Sequence, residues 1–279
     1  ISKKTKILMI VHTLGLACDM KAINKIVKKY NLILFEDCCE AHGSIFNKKK
    51  VGSFGHISAF SFFVAHNMTT GEGGMILTNN SKLDLISRSI REFGRINFNP
   101  KNINSRWFTD DKFNRYDKRY IFQRLGYNMR MTEINASFGI EQLKKLNRFN
   151  STRIKNANYL NNNFKKFNLN KYFKLYVNFQ NLEHTYYGFP ILIKETCNFS
   201  RYQLISFLEE NNIQTRPLFA GNLADQPGLR NMPKKIRGKL TNTLFLKENL
   251  FFIGVHPMIS KKIFDRFINL MIGFINKYK

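Results

Sequence analysis

The residues of this chain best suited to chemistry lie between Glu36 and Gly74. In "FEDCCEAHG" (35–43), Glu36 and Asp37 close an apolar run. A carboxylate at a strand end can hold a heterocyclic nitrogen in its protonated form. Asp37 is the candidate for that role, and capping of a helix or turn is its ordinary alternative. Glu40 could face an oxygen on the same ring or could simply be solvated. Ser61, in "FSFFVAH", offers a hydroxyl to a phosphate oxygen, or is a buried serine bonded to backbone. His66 follows, with an ordinary pKa near neutrality that suits it to moving protons. "TTGEGG" (69–74) is a turn whose glycines permit unusual backbone angles and close approach. Its spacing matches neither a nucleotide P-loop nor a dinucleotide fingerprint. His42, in "EAHG", reads as structural.

The elements that must position these residues follow from periodicity. Residues 6–12 read as a buried strand, 17–31 as an amphipathic helix with Met20, Ile23, Ile26 and Val27 on one face, and 32–37 as a second strand. Strand, helix, strand at this spacing predicts a βαβ unit and a parallel sheet. Ligands of such sheets sit beyond the carboxyl ends of the strands, which places Glu36 and Asp37 where chemistry would be. Strands are expected over 56–63 and 73–79, and a helix over 81–94 with Ser81 as N-cap and Gly94 as C-cap. The polar, aromatic stretch 95–120 is either a functional loop or a solvated insertion. A helical pattern over 131–149 continues through 153–167. Strand 185–194, helix 200–212, short strand 213–219, a helix near 237–249 and a terminal helix over 260–278 complete an α+β portion. The division drawn is 1–148 for the first domain and 149–279 for a helical linker with a small C-terminal domain.

The chain has 279 residues, 43% of them hydrophobic, enough for one large core or a core with a smaller satellite. Lys and Arg number 45 against 19 Asp and Glu, a formal net charge of +26. Such a balance invites a nucleic-acid or anionic-surface reading. The lysines are spread along the whole chain beside abundant Asn, Ile and Phe, so compositional drift is preferred, with recruitment of a phosphorylated substrate as a secondary benefit. Four cysteines, Cys18, Cys38, Cys39 and Cys197, form no CxxC pair. They point to reduced thiols in a cytoplasm and to no metal site. The most apolar stretch, "ILMIVHTLGLA", is too short to span a bilayer and carries His12.

Taken in order, Asp37, Glu40, Ser61, His66, "TTGEGG" and "RLGYNMRMTEINA" resemble the DegT/DnrJ/EryC1/StrS family of sugar aminotransferases, which use pyridoxal phosphate (PLP). The resemblance runs from "VHTLGLACDM" through "GSFGHISAFSFF" to "FFIGVHP". It implies a PLP-dependent transferase fold of type I: part of the large domain, with a mixed, mostly parallel sheet, then a small C-terminal α+β domain. In the family, the position of His66 normally carries the lysine that binds PLP covalently. Histidine there resembles the sugar 3-dehydratase branch. So does "IQTRPLFAGNLADQP" (213–227). One such type acts on a GDP-linked 4-keto-6-deoxymannose. The other takes a CDP-linked 4-keto-6-deoxyglucose and carries an iron–sulfur cluster. A cluster needs about four thiolates, and only Cys197 follows the glycine turn. The spacing from Asp37 to His66 also fits the GDP type. No cluster is expected.

The resemblance implies a cytoplasmic lyase of dideoxysugar and O-antigen biosynthesis, working on a nucleotide-linked 4-keto-6-deoxy sugar. L-glutamate converts PLP to pyridoxamine phosphate (PMP), and His66 serves as acid and base. Asp37, Glu40 and Ser61 would bind the cofactor. Asn128, in "YNMR", would reach the phosphate of the cofactor in a neighbouring subunit, which makes the expected unit a homodimer with shared sites. Arg130 and, more weakly, Arg216 would contact substrate or amino-acid anions; Asn128 could instead cap the helix beginning near Thr132. The matching residues begin in the middle of the family's large domain, so the chain is read as a fragment or as half of a split enzyme. The alternative function is that of an inactive or fragmentary member acting as a regulatory or binding protein.

Overall fold

A computed structural model describes residues 1–96, 117, 120–176 and 181–278. The loop expected over 95–120 falls almost wholly outside them. In chain order, β1 (Ile7–Val11), α1 (Met20–Tyr30), β2 (Ile33–Asp37), β3 (Ile45–Phe46), β4 (Lys49–Lys50), β5 (Ile57–Ser61), β6 (Gly74–Leu77) and α2 (Ser81–Arg91) lead to α3 (Glu133–Lys166). There follow β7 (Phe173–Leu175), β8 (Leu182–Glu183), β9 (Phe189–Ile193), α4 (Arg201–Glu210), β10 (Thr215–Pro217), α5 (Thr241–Asn249), β11 (Leu250–Ile253) and α6 (Lys261–Asn276). Two compact units result. The first is Ile1–His12, Cys18–His42 and Lys49–Lys145; the second is Thr13–Ala17, Gly43–Lys48 and Leu146–Lys279.

The first unit is built on a sheet of order β1-β2-β5-β6. β1 and β2 are parallel from Ile7↔Ile33 to Val11↔Asp37, and β2 and β5 are parallel from Phe35↔Ile57 to Asp37↔Ala59. β6 returns antiparallel, closing on Ser61↔Gly74. The βαβ unit expected from sequence is therefore present. The Asp19 carboxylate caps α1 by accepting from the backbone N–H of Lys21 and Ala22, and Asn31 ends the helix in the left-handed conformation. Its buried stripe is narrower than expected: Met20 and Val27 are buried, but Ile26 is exposed. Alternation across β2 puts Leu34 and Glu36 on a fully buried face, with Ile33, Phe35 and Asp37 on the other. In α2 the expected caps are displaced. Asn80, not Ser81, accepts from the N–H groups of Lys82 and Leu83, and Glu92, not Gly94, is the C-cap.

The second unit holds an antiparallel sheet of order β10-β11-β9-β7. Its core packs Ala157, Leu160 and Phe164 of α3 with Phe264, Phe267, Met271 and Phe274 of α6 and with Phe189, Ile191 and Phe251 from the sheet. Ser200 and Gln203 form a capping box at the start of α4. The helical patterns over 131–149 and 153–167 are one continuous helix of 34 residues. Among the described residues, no helix is long and apolar enough to cross a membrane.

Candidate active site

Asp37 and Ser61 close two neighbouring parallel strands at the same end of the sheet. Asp37 pairs with Ala59, two residues before Ser61, so pleating puts both side chains on one face. Both are half-buried. The Asp37 carboxylate accepts the N–H of Cys39 at 3.0 Å. It thus caps the turn that follows β2 while standing at the strand end. Glu40 is half-buried on the same turn. The Ser61 hydroxyl accepts the N–H of Phe63 at 3.2 Å.

His66 sits half-buried on the turn after β5, its N–H bonded to the Phe63 carbonyl at 3.0 Å. Its ring meets Phe63 edge-on at 5.9 Å between centroids and His42 at 6.3 Å. The loops leaving β2 and β5 therefore touch through this pair of histidines. His42 is only 4% exposed and packs against Phe60 and Phe62. Burial, then the neighbouring His66, pushes its pKa down to about 4, so His42 is a neutral ring at working pH.

Glu36 does something different from its neighbour. It points to the opposite face, is fully buried, and accepts from His12 Nε2 at 3.1 Å and from the backbone N–H groups of Gly52 at 2.8 Å, Phe54 at 2.7 Å and Gly55 at 2.5 Å. Burial alone would raise its pKa, but the bonds from His12, Gly52 and Gly55 outweigh it and hold the carboxyl below its usual range. The expectation that Glu36 and Asp37 both stand where chemistry occurs is corrected: Glu36 is the anchor of the 52–55 turn. Gly52 fits there at φ +85, where a Cβ would lie 2.6 Å from Phe60 Cζ.

His12, Glu36 and Cys38 bring one ligand atom each within 4.8 Å of one another. Hydrogen bonds already use this trio. Cys18 donates its N–H to His12 Nδ1 at 3.1 Å, which puts the ring proton on Nε2, facing Glu36. Both ring nitrogens are engaged, and a metal would have to displace the bonds that hold the 52–55 turn.

The glycine turn closes against the start of α3. Asn135 donates to the Thr70 carbonyl at 2.6 Å, and Thr70 Oγ1 donates to the Glu72 carbonyl at 2.7 Å. Gly73 has φ +153, and a Cβ there would collide with Met131 Sδ and Thr70 Oγ1. Asn128 does not cap α3; it is exposed and stands opposite Glu92 in an antiparallel bridge whose bonds run from the Met129 N–H to the Arg91 carbonyl at 3.2 Å and from the Phe93 N–H to the Tyr127 carbonyl at 2.9 Å, while Thr132 accepts the N–H of Asn135 at 3.2 Å. Arg130 is exposed and pairs with Glu92, Nε to Oε2, at 3.2 Å. Arg216 belongs to β10 of the second unit, exposed, with Nη1 donating to the Thr215 carbonyl at 3.1 Å.

Sequence reasoning passed over Cys39. Burial, then a hydrogen bond and charge from Asp37, pushes its thiol pKa up to about 12, so the thiol stays protonated against Asp37. The signal was present: a residue two positions after Asp is a frequent backbone partner of that side chain. A carboxylate so steered and a hydroxyl on the same face, with a proton-transfer side chain on the adjoining turn, fit the ring nitrogen and phosphate of a pyridine cofactor.

The model of the DegT/DnrJ/EryC1/StrS aminotransferase family matches residues 1–271. The lipopolysaccharide biosynthesis protein RfbH of Salmonella typhimurium is 35% identical over 273 residues, 95% of this chain and 62% of that protein. The Escherichia coli GDP-4-keto-6-deoxy-D-mannose-3-dehydratase, solved with bound hydrated PLP, superposes with a TM-score of 0.84 at 33% identity, over 97% of this chain and 68% of its own. A structure of GDP-4-keto-6-deoxymannose-3-dehydratase with a trapped PLP-glutamate geminal diamine gives a TM-score of 0.85 at 33% identity, covering 97% and 69%. The chain spans about three fifths of the length of the first curated relatives it matches. It has the fold of PLP-dependent transferases, and it belongs to the DegT/DnrJ/EryC1/StrS aminotransferase family.

Proposed function

We propose that this chain carries the reaction centre of a nucleotide-sugar 3-dehydratase that uses PLP and PMP. Its substrate would be a 4-keto-6-deoxy hexose, GDP-linked in preference, with L-glutamate as amino donor. The observation that carries this reading is His66, on the turn between Ser61 and the glycine turn, in a chain of this family. An imidazole there forms no stable covalent link to the cofactor aldehyde, yet it moves protons. The relatives solved with hydrated PLP and with a PLP–glutamate adduct support the cofactor and the donor.

PMP held at the strand ends would supply an amine for the sugar's C4 ketone and a protonated pyridine ring as electron sink. Asp37, steered by Cys39, keeps the proton on the ring nitrogen. Ser61 bonds the phosphate, Glu40 faces the 3′ oxygen, and Asn128 serves the phosphate of a second subunit. Arg130 and Arg216 meet anionic groups of sugar nucleotide or glutamate, a task that suits the planar guanidinium. His66 takes a proton from the cofactor's C4′ carbon and gives one to the departing 3-hydroxyl, which leaves as water. With no lysine to complete amine transfer to the sugar, the products are a 3-deoxy ketosugar and ammonia. The assembly is a homodimer.

An absorption titration of the purified chain with PLP and then glutamate tests the cofactor half-reaction. The aldehyde band should give way to that of the amine. Ammonia release is then measured with GDP- and CDP-linked 4-keto-6-deoxy sugars. A chain that responds to glutamate but releases ammonia from neither sugar is not a 3-dehydratase of this kind.

A further inference from the structure

Within the second unit the densest run of cations lies outside the residues assigned to the reaction above. Every residue from 230 to 239 is exposed, and the segment has neither helix nor strand. It carries Arg230, Lys234, Lys235, Arg237 and Lys239. The nearest acid before it, Asp225, already pairs with Lys247 at 3.4 Å, and no acid occurs between them. Two aliphatic side chains stand among the cations: Met232 is 56% exposed and Ile236 is 52% exposed. The base of the segment is fixed. Gln226 donates to the Ala220 carbonyl at 2.9 Å, and Asn222 caps the short turn at Leu223–Asp225. Lys234 folds its amine back on the carbonyls of Leu229 and Arg230. The segment therefore presents its outer cations and its two aliphatic side chains from a held base.

We propose that residues 230–239 are a docking site for an anionic lipid bilayer surface. Exposed cations near such a surface each contribute about 1 kcal/mol, and the attraction fades within a Debye length. Met232 and Ile236 can enter the headgroup boundary between them, as apolar side chains do in interfacial segments. Nucleic acid is the other polyanion to weigh. The segment has no aromatic side chain on which a base could stack and no helix to enter a groove. The lipid surface uses both the cations and the aliphatics; nucleic acid uses only the cations.

The test is flotation of the full chain with vesicles of phosphatidylcholine alone or with added phosphatidylglycerol. The chain should float only with the anionic vesicles and should be released as salt rises. The triple variant K235Q/R237Q/K239Q spares Lys234, which shapes the loop, and should weaken binding by roughly tenfold or more. M232S/I236S should weaken it at constant charge. The control K25Q/K28Q/K29Q removes as many cations from exposed positions on α1 and should bind like the unaltered chain. Circular dichroism verifies that each variant is folded. Equal loss in the control would mean that net charge, not this segment, does the binding. Unchanged binding in the loop variants, or tighter binding to single-stranded RNA than to the anionic vesicles, would overturn the proposal.

Discussion

Replacing His66 by alanine removes the group proposed to move protons at C4′ and at the leaving hydroxyl. Acid–base catalysis of this kind is worth about 10²–10⁴-fold. Ammonia release should fall by about that factor while PLP still binds, because Asp37 and Ser61 are untouched. A His66→Ala chain as fast as its parent would remove the imidazole from the mechanism. Glu36 gives the opposite kind of prediction, one of stability. Its folded pKa is depressed by His12 and the backbone N–H groups of the 52–55 turn. That contribution is complete above the unfolded carboxylate value of about 4.3 and is lost as pH falls through the lower folded value. Glu36→Gln turns an acceptor set into one half of which must donate, toward groups that also donate. It should cost about 3 kcal/mol at pH 7 and much less in acid, as read by urea unfolding at both pH values. The adjacent letters Glu and Asp look alike in sequence. Only strand alternation, fixed by the register of β2 with β1 and β5, separates the buried anchor from the residue at the sheet's working end.

At the scale of elements, the βαβ unit and most helices were legible because their apolar periods are long and their caps are polar residues of the right kind. The errors lie where local chemistry offers two answers. "NNSK" (79–82) contains both Asn80 and Ser81, each a good N-cap, and the structure uses Asn80. Asn80→Ala should therefore destabilise the protein by about 1 kcal/mol, while Ser81→Ala should be close to neutral. Chemical denaturation of the two variants distinguishes them, and a larger loss at Ser81 would contradict the cap described. β11 was not foreseen for a related reason. "LFFI" follows α5 directly, with no glycine or proline between them, and it is apolar without alternation because its last three residues are buried. Such a run reads equally as helix or buried strand until its partners β9 and β10 are known. The two-residue strands β3 and β8 pair across a large sequence separation and leave no periodic trace.

At the scale of the whole molecule, the sequence located the residues at the strand ends but could not show which surfaces are finished. The first unit displays Leu125 at 97% exposure and Ile134 at 73%. Tyr127, Met129, Phe138, Ile140 and Leu143 are exposed with them, on the segment before α3 and on its first turns. Asn128 and Arg130 lie in the same segment, so the residues assigned to a neighbour's cofactor and to substrate anions sit among these apolar side chains. Ile134 and Phe138, four residues apart, share one face of α3, and exposed large apolar side chains so placed mark an interaction site more often than chance exposure does. In a symmetric pair such a patch meets its own copy. Phe138 is a direct probe, because aspartate there places a charge inside the contact and leaves the buried residues of the unit alone. Sedimentation equilibrium should give the unaltered chain twice its 32.8 kDa and the Phe138→Asp chain the monomer mass over the same concentrations. The variant should also lose PLP affinity if Asn128 serves the partner's cofactor. Retention of both dimer mass and affinity would place the subunit contact elsewhere. A monomer that binds PLP as tightly as the dimer would keep the interface and withdraw Asn128 from the shared site.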